Sequence, residues 1–202
     1  MPAVTTPPPV AADEIYDKYL KKAITEINEL GDEIGRAAAR KGGVPVVGSG
    51  HPLADIMLLK HTPKASELQE GVAFFGRSGQ AILKSLQRLH VDAMAVYGTN
   101  CLKFEGASER QARPWLTREL HIVQPKLVVV MGEPARTFLN SLRFPLADAL
   151  SPDLGGVQRL TPTIDALFVP DIDESLDEQG AKARFWSAFK AVGPWWAELP
   201  PY

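Results

Sequence analysis

The sequence predicts an α/β fold: a three-layer α/β/α sandwich around a mainly parallel sheet of about four strands. After Gly50, short apolar runs of strand length alternate with longer segments that have helical periodicity. One helix separates each strand from the next, which is typical of parallel strands with helices on both faces of the sheet. No apolar run approaches the roughly 18 residues of a membrane-spanning helix, so we expect no membrane association.

The N-terminal residues predict a tail and a first helix. Residues 1–12 are Pro-rich and predict a flexible tail, ahead of a single domain that covers 13–202. Asp13 suits the N-cap of a helix that runs to about Arg40 and ends at Gly42 and Gly43. No basic cluster precedes an apolar core at the start, so we expect no signal peptide and a cytoplasmic protein.

The elements after Gly50 are predicted from their apolar patterns. The predicted strands are 55–59, 94–97, 126–131 and 166–169, and the predicted helices are 79–89, 109–122, 134–142 and 179–192. The region 145–162 reads as a loop with a short strand at about 157–160. The last residues, 194–202, predict a tail whose Trp195 and Trp196 pack against the protein rather than form a ligand cage.

Composition excludes several classes of protein. The chain has 202 residues, of which 45% are hydrophobic and 23% charged, so it can form a core without disulfides. The net charge of -2 shows that the whole molecule is no basic nucleic-acid binder, and any such binding must use a local patch. Cys101 is the only cysteine, and the four histidines lack metal-ligand spacing, so we expect no metal or other cofactor.

The loops after the four predicted strands should share one edge of the sheet, where open parallel sheets bind ligands. These loops are 60–64, 98–100, 132–134 and 170–175. They carry an amide, an imidazole, two ammonium groups and several carboxylates. The segment 74–79 adds two aromatic rings and a Gly-rich entry into a helix, a position that attracts anions. Neither a P-loop nor a nucleophile elbow is present there.

Several segments, in order and spacing, resemble one protein family over about residues 47–192. Residues 55–64 (DIMLLKHTPK) resemble a first-strand motif that usually ends GEAPG, and 70–80 (EGVAFFGRSGQ) resemble QGRPFVGRAGQ. Residues 96–103 (VYGTNCLK) resemble a strand ending TNxxK, while RPWL at 113–116 and QPKLVVVMG at 124–132 resemble the next helix and strand. The family is the uracil-DNA glycosylase superfamily, and the resemblance is greatest to its bacterial family 4 and family 5 branches.

The resemblance implies the same sandwich fold and an enzyme that flips a damaged base out of DNA and hydrolyses its N-glycosidic bond. Phe74 matches the phenylalanine that stacks on the base. Asn100 matches the asparagine that reads uracil, because an amide donates to O4 and accepts from N3–H. Alternatively, Phe74 belongs to the core, for which Phe75 is the expected aromatic, and Asn100 caps a strand end.

Both catalytic motifs of the family are altered. His61 replaces the first-motif glutamate, Lys60 and Lys64 replace its flanking glycines, and Asp173 falls where the family has its catalytic histidine. A carboxylate at that position opposes the negative charge that develops on departing uracil. If the two motifs have exchanged roles, the carboxylate of Asp173 orients the water, and a protonated His61 or Lys60 stabilises the leaving base. His61 and Asp173 are therefore the candidate catalytic residues.

The resemblance also bears on the expected cofactor and partner. The cysteines of the family 4 iron–sulfur cluster would fall near Phe104 and Ala112, so no cluster is expected. The expected partner is single- or double-stranded DNA with a damaged base, bound by a monomer. The candidate phosphate-binding residues are Lys60, Lys64, Arg77 and Ser175. The segment 165–180 has six acidic residues and neither Lys nor Arg, which weakens DNA binding there.

Three functions are compatible with these residues. The first is a divergent DNA glycosylase that removes uracil or another deaminated base. The second is a catalytically inactive protein of the same fold that binds nucleic acid, a nucleotide or a protein partner. The third is an enzyme with a changed substrate, such as a free nucleoside. Fold ancestry does not choose among them, and the retained pair Phe74 and Asn100 favours the first.

Overall fold

A computed structural model describes residues 10–200, with side chains from residue 13 onwards. The helices are α1 Val10–Ala39, α2 Ala65–Glu70, α3 Arg77–Arg88, α4 Glu109–Val123, α5 Glu133–Ser141, α6 Ile172–Ser175, α7 Gln179–Phe189 and α8 Val192–Ala197. The strands are β1 Ser49–Gly50, β2 Ile56–Lys60, β3 Val96–Asn100, β4 Leu127–Met131, β5 Val157–Thr161 and β6 Ile164–Val169. Within the described residues, no helix is long and apolar enough to cross a membrane.

The strands form a six-stranded sheet in the order β1-β3-β2-β4-β6-β5. The four inner strands are parallel to one another, and β1 and β5 pair antiparallel at the two edges. The predicted α/β class with a mainly parallel sheet is confirmed, and each of the four predicted strands is an inner strand. The two edge strands bring the total to six rather than four.

Helices cover both faces of the sheet because alternate strand residues enter different cores. Met57 and Leu59 of β2 belong to the core shared with α1, α4 and α5, whereas Ile56 and Leu58 belong to the core shared with α3, α7 and α8. Residues of β2, β3 and β4 are buried throughout, as expected for parallel strands between two helical layers.

Both chain ends differ from the prediction. Helix α1 begins at Val10 rather than at Asp13, while residues 1–9 of the predicted tail lie outside the described residues. The predicted C-terminal tail is wrong, because it contains most of α8. There the indole Nε1 of Trp195 donates to Asp165 Oδ2 at 3.0 Å, which joins α8 to the start of β6.

The sheet places the expected loops at one edge. Lys60 at the end of β2 is in register with Asn100 at the end of β3. The neighbouring strands β4 and β6 end at the same side and lead directly into α5 and α6. The polar residues of these loops therefore come together where the sequence predicted a ligand site.

Candidate functional site

The centre of the site is the side chain of Lys60, which is 1% exposed. Its Nζ donates to Glu67 Oε2 at 2.9 Å and to Asp173 Oδ2 at 2.8 Å. The same Nζ lies over the Phe74 ring, 4.9 Å from its centroid. One ammonium group is thus held between two carboxylates and an aromatic face, an arrangement in which each contact favours the positive charge.

Glu67 fixes this arrangement, and the sequence analysis missed it. Its Oε2 also accepts from the backbone N–H of Lys64 at 2.7 Å, and its Oε1 accepts from the backbone N–H of Phe74. In the capping-box pattern, a glutamate at the third position of a helix accepts a hydrogen bond from the backbone N–H of the residue that precedes the helix. This spacing from Lys64 was the signal available in the sequence. Glu67 joins the end of β2, the start of α2 and the loop that carries Phe74.

Phe74 is buried in a constrained backbone conformation. Its φ of 59° lies in the left-handed region, which non-glycine residues rarely adopt. A Cβ on Gly98 of β3 would come within 2.6 Å of Phe74 Cδ2, so the ring requires a glycine there. The expectation that Phe75 is the core aromatic is wrong, because Phe75 is 47% exposed while Phe74 is buried.

Asn100 presents an unpaired acceptor inside the site. Its side chain is 1% exposed, and its Nδ2 donates weakly to Glu67 Oε1 at 3.5 Å. Its Oδ1 has no hydrogen-bond partner among the described residues. Buried polar atoms are nearly always paired, so an orphaned one indicates a place for a ligand group. Phe74 and Asn100 are brought together, since both bond to the same carboxylate oxygen.

The two candidate catalytic residues have different partners. The Nδ1 of His61 lies 2.8 Å from Thr62 Oγ1, and its Nε2 lies 3.8 Å from Glu109 Oε1. Burial lowers the pKa of His61, and the nearby carboxylate of Glu109 partly opposes this shift. Asp173 instead bonds to Lys60. No hydrogen bond joins His61 to Asp173 within the described part of the chain.

Helix α6 aims Asp173 at Lys60. Asp171 Oδ1 accepts from the backbone N–H groups of Asp173 and Glu174 at 2.8 and 3.2 Å. Ser175 Oγ donates to the Asp171 carbonyl at 2.6 Å. These bonds fix the turn after β6, and the Asp173 side chain remains 15% exposed at the mouth of the site.

The candidate phosphate-binding residues divide into two groups. Lys60 and Ser175 are buried and bonded internally, so in this conformation neither presents a polar atom to a phosphate. Phosphate binding by these two residues therefore stays a prediction, and it needs a different conformation of the site. Lys64 and Arg77 are exposed, and Arg77 Nη2 lies 3.0 Å from Asp177 Oδ1 in a solvent-exposed ion pair.

A cavity of about 400 Å³ lies beside Phe74. Its lining is mainly apolar and comes from α3, β3 and the loop after α2, including Phe74, Phe75 and Gly98. A base pocket formed by Phe74 and Asn100 would need both residues to line one cavity, but Asn100 is not part of this lining. Phe74 therefore separates an apolar cavity from the polar cluster around Lys60.

The positions of the family's cluster cysteines do not fit an iron–sulfur cluster. Phe104 and Ala112 are fully buried in the apolar core, where the Phe104 ring packs 6.0 Å from that of Trp115. Among the described residues, no three His, Cys, Asp or Glu side chains are grouped to hold a metal ion.

Comparison with known proteins agrees with the geometry. A sequence model of the family described as the uracil DNA glycosylase superfamily matches residues 47–189. A "Type-4 uracil-DNA glycosylase" of Sulfurisphaera tokodaii is 28% identical over 111 residues, covering 50% of this chain and 50% of that protein. One from Pyrobaculum aerophilum is 30% identical over 101 residues, covering 46% of this chain and 50% of that protein.

The chain spans about half the length of the curated relatives it matches. The family model, by contrast, covers most of the chain, including every inner strand and Lys60 with the three residues that contact its ammonium, Glu67, Phe74 and Asp173. The chain belongs to the uracil DNA glycosylase superfamily.

Proposed function

We propose that the protein is a DNA glycosylase that removes uracil or another deaminated base from DNA by base excision. The observation that carries this proposal is the pairing of a buried aromatic ring, Phe74, with the unpaired amide oxygen of Asn100. An aromatic face and an amide are the two groups that recognise an extruded pyrimidine. The names of the relatives support the same general activity.

The base stacks on Phe74 and donates its N3–H to Asn100 Oδ1. To stack, it must displace the Lys60 ammonium from the Phe74 ring, and this movement also releases Asp173. The released carboxylate orients a water molecule toward C1′ of the sugar, while the ammonium, still within the site, offsets the negative charge that grows on the departing base. In this mechanism Lys60 takes the electrostatic role for which the sequence analysis offered His61 or Lys60 as alternatives.

The DNA backbone approaches the mouth of the site from the side of Lys64 and Arg77, which are exposed. The acidic segment 165–180 reaches the same side, where Asp177 pairs with Arg77, and it repels phosphate. A single strand can bend away from this segment more readily than a duplex. We therefore propose that a single-stranded substrate is preferred and that the protein acts as a monomer.

Cleavage assays test this function. Oligonucleotides that carry one uracil, hypoxanthine or xanthine are incubated with the protein as single strands and as duplexes, and abasic sites are detected by alkaline strand scission. Phe74→Leu should reduce the rate by about tenfold or more through lost stacking, whereas Phe75→Leu, which changes the exposed neighbour, should not. Asn100→Asp should weaken uracil preference because the donor to O4 is lost. Equal rates for both phenylalanine variants would contradict the proposed pocket.

A second function is favoured by one observation. Lys60 already lies on the Phe74 ring with both of its carboxylate partners in place, so in this conformation the ammonium occupies the ring face on the side of Asn100 and Asp173. A protein permanently in this state binds nucleic acid, a nucleotide or a protein partner without catalysis. If the wild-type protein cleaves nothing and Lys60→Gly gains cleavage activity, the inactive function is correct and Lys60 is the cause.

A further inference from the structure

The groups around the Lys60 ammonium either accept hydrogen bonds or attract a positive charge. They are the carboxylates of Glu67 and Asp173, the face of Phe74 and, bonded to Glu67, the amide of Asn100 with its unpaired Oδ1. The chain fills this site with its own cation. Two negative charges surround one positive charge, so a neutral base that displaced the ammonium from the Phe74 ring would leave the Asp173 carboxylate without its counter-charge.

We infer that this pocket selects a positively charged base, such as an N-alkylated base, over neutral uracil. The inference rests on the proposed function and names its substrate class. When a cationic base displaces the Lys60 ammonium from the Phe74 ring, the positive charge of the base replaces the ammonium as the partner of Asp173. Its exocyclic amino group, which shares the positive charge of the ring, also donates to Asn100 Oδ1, the acceptor that lacks a partner.

The charge of the base also explains why the site tolerates Asp173 at the leaving-group position. In hydrolysis of a cationic base, the C1′–N bond breaks and its electron pair neutralises the base. A water oxygen bonds to C1′, and the proton lost by that water passes to the Asp173 carboxylate and then to solvent. The products are a neutral base and an abasic sugar with a C1′ hydroxyl. No anion departs, so a carboxylate beside the base does not oppose this step.

Two methylated pyrimidines isolate charge from shape. 3-Methylcytosine is cationic, whereas 3-methyluracil has the same ring and methyl group but is neutral. Single-stranded oligonucleotides that carry one of the two, or uracil, are given to the wild-type protein. We expect 3-methylcytosine to be released at least about tenfold faster than 3-methyluracil, because only the cationic base gives the displaced Asp173 carboxylate a new counter-charge.

The ratio of the two rates, rather than either rate, reports on the charge of the site. The two methylated substrates also differ in the intrinsic lability of their glycosidic bonds, and no substitution in the protein changes that part of the ratio. Asp173→Asn removes one carboxylate and should reduce the ratio severalfold. The exposed substitution Lys190→Met should leave the ratio unchanged. A ratio near one in the wild-type protein overturns the inference, as does a ratio that Asp173→Asn does not change.

A binding experiment separates this inference from the proposed function. Lys60→Gly opens the site, and Lys60→Met fills it with a neutral chain of similar length, so the two variants form a matched pair. Isothermal titration with 3-methyl-2′-deoxycytidine and 3-methyl-2′-deoxyuridine should show preferential binding of the cation to Lys60→Gly and no binding of either to Lys60→Met. Cation preference without cleavage by the wild-type protein retains the ligand class and rejects the glycosylase, whereas equal binding of both nucleosides rejects the ligand class. If circular dichroism shows that Lys60→Gly does not fold, the inference is decided by the ratio of the 3-methylcytosine and 3-methyluracil release rates in the wild-type protein and in Asp173→Asn.

Discussion

Replacement of Lys60 by methionine should destabilise the protein strongly although the packed volume is retained. Lys60 and Glu67 side chains are each 1% exposed, so the variant leaves the Glu67 carboxylate buried without its cation. Removing one partner of a buried ion pair costs about 3–5 kcal/mol. For a domain of this size, that cost lowers the melting temperature by roughly 6–20 °C. Asp173 contributes less, because at 15% exposure water can still reach its carboxylate.

The assay is thermal and urea denaturation followed by tryptophan fluorescence, with a matched control. Arg77→Met also removes a cation that pairs with an aspartate, but both side chains of the Arg77–Asp177 pair are more than 70% exposed. Such pairs contribute about 0–1 kcal/mol. Asp173→Asn added to Lys60→Met should restore part of the stability, since it neutralises one of the orphaned charges. If Lys60→Met unfolds at the same urea concentration as Arg77→Met, the ion pair does not have the assigned strength.

Three further outcomes follow from other contacts. Gly98→Ala places a Cβ 2.6 Å from the Phe74 ring and should lower the free energy of unfolding by about 1–3 kcal/mol. Gly156→Ala is the control, because its Cβ meets nothing within 4 Å and should leave the free energy of unfolding unchanged. Equal urea midpoints for the two variants would contradict the contact between Gly98 and Phe74. Cys101 is fully buried and burial raises the pKa of its thiol, so a chromogenic disulfide reagent should label it only in denaturant, and rapid native labelling would show the opposite. Burial lowers the pKa of His61, so its imidazole should titrate below its usual value in NMR spectra. The unfolded state then binds more protons than the folded state, and the His61 contribution to stability should fall as pH decreases through about 6.5, a dependence that His61→Phe should reduce.

The inner sheet could be predicted because its strands are buried on both faces and therefore read as continuous apolar runs, such as 127–131. Strand β1 could not, because two residues show no periodicity. Helix α8 was read as a tail, since its proline and paired tryptophans are not an amphipathic pattern and it is fixed by a bond to distant Asp165.

The site was predictable only in part. Phe74 and Asn100 were found through their motifs, but sequence does not show which of two adjacent phenylalanines faces inward when the backbone adopts a positive φ. The burial of Lys60 could not be predicted, because lysine is rarely buried. Its true location depends on Asp173, which lies 113 residues further along the chain and supplies the charge that makes burial tolerable.

That separation has a consequence for the order in which the protein folds. The Lys60–Asp173 contact closes a loop of 113 residues, and contacts of such high sequence separation form slowly. It needs the parallel register of β2, β4 and β6 to exist first. We therefore expect the ion pair to be absent from the folding transition state, with a φ-value near zero. Asp173→Asn, which removes this contact and leaves the Lys60–Glu67 pair in place, should then leave the refolding rate almost unchanged and accelerate unfolding, so that the lifetime of the native state, rather than the speed of reaching it, depends on the chemistry of the site.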